Sequence, residues 1–490
     1  MSQPSLAGNT FARRASKALA MRGAAVTHAA MDTLNQTWPA EPVARGLRMK
    51  DHPRGLWVLS GTELWDRISW HGMVSMLVLY MTGELLRPDR IGHVAGWGAY
   101  HGGLIRVFGP MSDTAIATQT FSLYFAGVTF MPLLGGWLGD RVITRRSAVA
   151  IGALVMTMGH FLMAFDATFL AALVALVIGA GLIRGNLASQ IRALYAAGDR
   201  KLGEAFQVYA MAVDVGAFIA PLACGTIAKY YGWHAGFAVA GFGMLAGLMW
   251  FLAGSRHLPP QPRPAARAAR VPFSAQDRRN LLALAIIWPF SVAFWTSQAQ
   301  IWNVYSLWVR DHVAMTVGGF AVPIPWLQSL DGLAPAIFIP LTMIVFRLMA
   351  RAGNEPDALV KMAIGSLIFA AAMLLLACGP LLAQPDGRTT IWLPVAFHAV
   401  SNLGADCFAP FVASLFVAYA PGRLRGTLYG AYALSITVAS LISGPMGDWY
   451  TRVSPSLFWI TSASFAGVGG VVLLLIAKPL HRMLGAGSEG

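Results

Sequence analysis

WVLSGTELWDRISWHGMVSMLVLYM, residues 57–81, is apolar for most of its length and long enough to cross about 30 Å of hydrocarbon. It also carries Glu63, Asp66 and Arg67. Ionisable groups at bilayer depth cost roughly 2.5–3.5 kcal/mol each on insertion scales, so they persist where a partner or a water-filled cavity receives them. The spacing i, i+3, i+4 puts all three on one helix face, and Trp70, seven residues after Glu63, extends the stripe. That face must look inward, so the stretch predicts a polar path through a membrane-embedded helix bundle.

The rest of the chain agrees. Of its 490 residues, 56% are hydrophobic and only 12% charged, about half the charged share of an ordinary soluble domain. Further apolar stretches of spanning length fall near 115–137, 146–165, 167–193, 203–229, 234–254, 280–309, 322–347, 358–382, 390–419, 425–449 and 455–477. With the first they make twelve. The expected fold class is an all-α membrane protein of twelve transmembrane helices. Residues 1–55 are polar and basic without the apolar core of a cleavable signal, and read as a cytoplasmic arm.

The net charge of +14 suggests nucleic acid until the basic residues are placed. With both termini on one side, most of the 36 lysines and arginines fall on that side. Only Arg87, Arg90, Arg106, Lys229, Arg310, Arg388 and Arg452 fall on the other. This is the positive-inside pattern of a multi-pass protein with both termini cytoplasmic. The basic excess therefore implies a lipid bilayer as partner and excludes a nucleic-acid one. Cys224, Cys378 and Cys407 fall in predicted spans and show neither metal nor disulfide spacing. No metal or cofactor is expected, and no HExxH, GxSxG or paired catalytic carboxylates point to an enzyme.

Residues 255–279 are rich in Pro, Ala and Arg and read as a solvated linker. They divide the chain into bundles at 56–254 and 280–478, with a tail at 479–490. Tyr195-Ala196-Ala197-Gly198-Asp199 after span four echoes Tyr419-Ala420-Pro421-Gly422-Arg423 after span ten. The echo falls where a parallel six-plus-six repeat would put it. In that register Arg184 and Asp406 occupy nearly equivalent places, which suggests a site shared between the halves.

Gly135-Gly136-Trp137-Leu138-Gly139-Asp140-Arg141, followed by Arg145-Arg146, closes span two. Glycines let helices approach closely, and Asp140 can bind an arginine or a helix N-terminus in one conformation and release it in another. The run resembles the loop signature of the major facilitator superfamily, where Gly136, Gly139, Asp140 and Arg141 would form a conformational latch. The alternative is an ordinary charged turn.

Further stretches narrow the resemblance. ELWDRISWHG from Glu63 resembles ExxERFxYYG of the proton-dependent oligopeptide transporters. GLIRGN from Gly181 resembles their GLFKPN, and YAMAVDVGAF from Tyr209 their YYMGINLGAF. YGWHAGF from Tyr231 resembles YGWHYGF, IPWLQSLD from Ile324 resembles IPASWFQSLN, and GADCFAP from Gly404 resembles GELCLSP. The order is the family's, from about residue 56 to 450. The resemblance implies the major facilitator fold, two six-helix bundles related by a pseudo-two-fold. It also implies proton-coupled symport of small peptides by alternating access. Departures mark a divergent branch. Asp66 stands for glutamate, Trp70 and His71 for tyrosines, Asp214 and Asp331 for asparagines, and Asp406 for glutamate. Ala299 stands where the family has a carboxylate before Gln300, and 255–279 holds no inserted helix pair.

Residue chemistry gives the candidate roles. A peptide is a zwitterion, so it needs a cationic and an anionic pocket. Arg67 and Arg184 are the cationic candidates, since arginine offers a fork for carboxylate. Asp214 and Asp406 are the anionic ones, with Trp70, His71, Gln300 and Trp326 lining the site. Asp214 could instead bridge to Arg184 or Arg192. Glu63, Asp66, Arg67 and Arg184 are the proton-coupling candidates, because the proton affinity of Glu63 depends on whether an arginine pairs with it. Glu63, Asp66 and Arg67 could instead form a static bridge that fixes helix packing. His71 and His398 could relay protons or be packing histidines. Two further functions stay open: a proton-driven antiporter exporting an amphipathic compound, and a non-transporting receptor or scaffold. The setting expected is the bacterial inner membrane, and the chain is expected to act as a monomer.

Overall fold

The computed structural model describes residues 51–196, 199, 201–259, 273–421 and 424–485. Most of the N-terminal arm, the middle of the linker and the end of the tail lie outside the described residues. Twelve long helices follow in order: α1 (Arg54–Tyr80), α2 (Asp113–Arg141), α3 (Arg145–Leu162), α4 (Phe169–Arg184), α5 (Lys201–Tyr231), α6 (Trp233–Gly254), α7 (Ala275–Ala299), α8 (Ser329–Arg351), α9 (Ala358–Ala377), α10 (Trp392–Ala418), α11 (Arg425–Arg452) and α12 (Pro455–Gly485). Ten segments built on them are long and apolar enough to cross a membrane by themselves. The other two are α1, whose charges break the apolar run, and α3, which opens on Arg145-Arg146.

Side-chain caps start several helices. Ser112, Thr144 and Asp357 accept backbone N–H groups of the first turns of α2, α3 and α9. Ser274 and Asp277 cap each other at the start of α7. α1–α6 share one apolar core and α7–α12 another. Across the pseudo-two-fold, α2 packs on α11 and α5 on α8.

Glycines set the tightest internal contact. A methyl on Gly185 would lie 2.5 Å from the Gly136 nitrogen and 2.5 Å from the Pro132 oxygen. A Cβ on Gly139 would overlap the Asn186 side chain, and one on Gly135 the Gly181 carbonyl. Asn186 fastens the contact, donating to the Gly135 carbonyl at 2.8 Å and to the Leu182 carbonyl at 2.9 Å. Backbone on both sides cannot yield, so Gly185→Ala should destabilise the fold by about 1–3 kcal/mol. Thermal unfolding in detergent checks this: a melting temperature equal to wild type would mean that α2 and α4 separate freely.

Three elements differ from expectation. Span seven does not run on to 309. It ends at Ala299, turns, and resumes as a short helix, Tyr305–His312. Span four ends at Arg184, where Gly185 leads into two 3-10 turns. An amphipathic helix, Trp97–Phe108, fills the connection between α1 and α2, too short and too polar to register as a span. Cys378 is also exposed beyond the end of α9, while Cys224 and Cys407 are buried.

Hydrogen bonds between the halves run from mid-height to the end remote from the linker. Thr129 meets Thr437 at 3.0 Å, Asn303 donates to Ser122 at 3.2 Å, and Trp326 donates to Thr226 at 2.9 Å. At the far end Arg310 donates to Thr82 at 3.0 Å and Lys229 to the Ala321 carbonyl. Among the described residues α4 and α5 make no substantial contact with α10 or α11. The halves are closed away from the linker and part toward it.

Candidate functional site

Glu63 and Asp66 lie behind the wall between the halves and two arginines stand in front of them. The acids are 1% and 0% exposed at the side chain, whereas Arg67 keeps 22% and Arg184 14%. Arg67 Nε donates to Glu63 Oε1 at 2.6 Å, one helical turn away. Tyr209 of α5 donates its hydroxyl to the other oxygen of Glu63. Arg184 Nε reaches from the broken end of α4 to Asp66 Oδ2 at 3.1 Å. Its guanidinium lies over the Trp70 ring at 4.5 Å, and Trp70 is stacked against Tyr124 and Phe125. The four charges form two crossed pairs, so the cluster is neutral as a whole.

The cluster is not fully satisfied. Arg184 Nη2 and Asp66 Oδ1 are buried without a hydrogen-bond partner. The unused donor sits on a guanidinium whose plane is fixed by the Asp66 bond and the Trp70 ring. Gly216 of α5 brings this wall close, since a Cβ there would meet Arg67 Cβ at 2.6 Å. Asp214 is within electrostatic reach of Arg67, and Asp406 of α10 within electrostatic reach of Asp214. Both are partly exposed, and Asp406 Oδ2 has no partner. His71 is within electrostatic reach of Arg67, Arg184 and Asp331.

A sequence model of the POT family (PTR2) matches residues 146–275 and 269–460, more than half of the chain. The chain belongs to the POT family. It is 25% identical over 491 residues to an uncharacterized transporter, YclF, of Bacillus subtilis (strain 168), covering 88% of this chain and 95% of that protein. It is 24% identical to a di-/tripeptide transporter of Lactococcus lactis subsp. cremoris, covering 88% and 97%. It is 25% identical to the peptide transporter YePEPT of Yersinia enterocolitica, covering 88% and 95%. A crystal structure of the peptide transporter POT in complex with sulfate superposes with a TM-score of 0.78 at 24% identity over 90% of this chain and 97% of that one. A POT family transporter in complex with 5-aminolevulinic acid gives 0.75 at 20% identity over 88% and 97%.

Within this POT-family chain the structure rearranges part of the expected site. Glu63 takes Arg67 as partner, and Arg184 is held by Asp66 instead. No ion pair joins Asp214 to Arg184 or Arg192 among the described residues, so the Asp214 bridge is not formed. Gln300 does not line the gap. It is buried in the C-terminal half, and its amide reaches Met446 Sδ at 3.2 Å and the Thr296 carbonyl at 3.4 Å. Trp326 is also displaced. Its partner Thr226 lies twelve residues beyond Asp214 on α5, about 18 Å along the helix. It belongs to the closed end, against Phe320. Asp140 pairs with Arg145 at 2.8 Å, and Arg141 is exposed.

Sequence reasoning missed three features. Tyr209 entered as part of a motif and not as a partner of Glu63. Tyr124 and Phe125 gave no signal, because aromatics on an apolar helix read as core. Asp331 was noted as a departure, but not that His398 donates to or accepts from its Oδ1 at 2.7 Å while Asn402 donates to the same oxygen at 2.8 Å.

Proposed function

We propose that this chain is a proton-coupled symporter of small peptides or peptide-like, amino-acid-derived molecules. It works by alternating access in the bacterial inner membrane, as a monomer with both termini cytoplasmic. The observation that carries the reading is the crossed Glu63–Arg67 and Asp66–Arg184 cluster, with its guanidiniums toward the gap and its acids sealed behind. In this reading the substrate carboxylate binds Arg184, and Arg67 when Glu63 releases it. A proton on Glu63 removes the charge that holds Arg67, so proton and substrate act through one residue pair. Asp214 and Asp406 receive the amine end. Trp70 and His71 line the floor. The bundles 56–254 and 280–478 rock about the site on the linker 255–279. Gly136, Gly139, Asp140 and Arg141 serve as the latch, with Asp140 exchanging partners.

Proteoliposomes test this. An inward proton gradient should drive accumulation of a labelled dipeptide. Loss of preloaded compound under that gradient would replace symport by antiport. A transport-dead protein whose cellular phenotype survives Glu63→Gln and Arg184→Ala would be a receptor or scaffold.

The added acids make a further prediction. Two partly exposed carboxylates within electrostatic reach of each other favour a cationic side chain between them. Asp214→Asn with Asp406→Asn should lower the preference for lysine-containing over neutral dipeptides roughly fivefold, about 1 kcal/mol for a partly screened pair. Competition against a labelled neutral dipeptide reads the ratio. An unchanged ratio would remove both residues from the amine pocket.

A further inference from the structure

Among the described residues of the C-terminal half, Asp331 lies in the first turn of α8 and Asp406 within α10. Asp406 faces the gap. Asp331 differs in that it is tied into a polar cluster with His398 and Asn402. His398 is 1% exposed and Asp331 12% at the side chain. His398 Nδ1 meets Asp331 Oδ1 at 2.7 Å, and Asn402, one turn along α10, donates to the same oxygen at 2.8 Å. Tyr305, 1% exposed, sets its ring edge-on to His398 with centroids 5.1 Å apart. Three polar atoms of this cluster are buried and unpartnered: Asp331 Oδ2, His398 Nε2 and the Tyr305 hydroxyl. Buried polar atoms left open are rare in folded chains and call for an explanation.

The cluster also sits at a joint. Gly332, the next residue of α8, is in backbone contact with α5: a Cβ there would lie 2.7 Å from the Asp214 carbonyl oxygen and 2.7 Å from the Ala217 carbonyl carbon. His71 of α1 is within electrostatic reach of Asp331, Arg67 and Arg184. From the short helix after α7 comes Tyr305, and from α10 itself come Asn402 and Ser401. α5 brings Asp214, whose carboxylate is within electrostatic reach of Arg67 and Asp406. The charge on the Asp331–His398 pair is therefore felt across the contact between the two halves.

We propose that Asp331 and His398 form a second proton-binding site, one whose charge acts on the ion-paired arginines of α1 and α4 across the contact between the two halves. With imidazole neutral, Nδ1–H donates to the carboxylate and the pair carries one negative charge. A proton from water binds the open Nε2 of His398, the imidazolium keeps its Nδ1–H on Asp331, and the pair becomes neutral. The negative form draws those arginines toward α8. The neutral form releases them and lets α5 and α8 shift about Gly332. The inference builds on the proton-coupled reading but concerns a different half of the molecule from Glu63.

Two measurements separate the site from that reading. Infrared difference spectra of the full chain in lipid, taken across a pH titration, report imidazole protonation without any substrate. The difference should contain a band that is missing in His398→Asn. In Asp331→Asn its midpoint should move by about tenfold or more in proton concentration. The second measurement uses proteoliposomes and labelled dialanine. Asp331→Asn, which keeps the shape and one hydrogen bond to His398, should retain counterflow within about twofold and lose gradient-driven accumulation by about tenfold or more. Wild-type spectra unchanged by His398→Asn would overturn the site whatever the transport data. Equal loss of counterflow and driven uptake in Asp331→Asn would make the pair a structural tie and overturn it as well. A titrating His398 band in a wild type that fails to accumulate dialanine would sink symport of that peptide and keep the site.

Discussion

Arg184→Ala should lower dipeptide affinity by about 30- to 3,000-fold, because truncating one partner of a buried hydrogen-bonded charge pair at a binding site costs about 2–5 kcal/mol and each 1.4 kcal/mol is tenfold. Three losses combine. Asp66, with no exposed side-chain surface, keeps only Arg67 at 3.9 Å. Trp70 loses the cation over its face. The open Nη2 donor disappears with the guanidinium, and with it the proposed seat of the substrate carboxylate. Arg184→Lys keeps the charge but supplies neither the fork nor the stacked plane. It should fall between, with an affinity loss of about tenfold. Equilibrium competition against a labelled dipeptide measures both, and thermal unfolding separates damage to the fold from damage to binding. An alanine variant within about threefold of wild-type affinity would take Arg184 out of the substrate site.

The fold was legible where the signal is carried by length and polarity. Twelve apolar stretches, a basic linker and one-sided Lys and Arg determine a two-bundle membrane protein without reference to any contact. The charged face of α1 was legible for the same reason: acids inside a span must find partners, and Glu63, Asp66 and Arg67 did. Which partner each would take was not. Arg184 pairs with Asp66 because α4 breaks at Gly185 and delivers the guanidinium at that height, and nothing in GLIRGN states where the helix ends. Gln300 and Trp326 misled for a related reason. Span seven stops at Ala299, so the turn that follows carries Gln300 away from the gap, and Trp326 enters on a 3-10 turn at the closed end. The Asp331–His398 contact joins residues 67 apart on two helices. One-dimensional spacing holds no trace of it, although each residue was conspicuous as a polar group inside an apolar span.

Glu63→Gln separates coupling from binding. Glutamine keeps the size of the side chain and can still accept from Tyr209, so the wall should stay folded. What it removes is the charge that holds Arg67 at 2.6 Å and the oxygen on which a proton arrives. Arg67 is then free for substrate at every pH, as it would be in the protonated wild type. Counterflow of a labelled dipeptide, which needs no net proton movement, should persist within about threefold, while accumulation driven by a proton gradient should fall by about 30-fold or more, some 2 kcal/mol of lost coupling. The sign of the pH response follows. If Glu63 is the coupling site proposed above, acidifying the side from which substrate enters should raise driven uptake in wild type. In Glu63→Gln that dependence should flatten, leaving only what other proton sites contribute. Asp66→Asn provides the contrast. Asp66 holds Arg184, the proposed substrate arginine, so its loss should weaken binding and counterflow together. A Glu63→Gln protein that still concentrates peptide against its gradient would place the proton on some other group. The crossed pairs on α1 and α4 would then be scaffold, holding two guanidiniums in position for a ligand and nothing more.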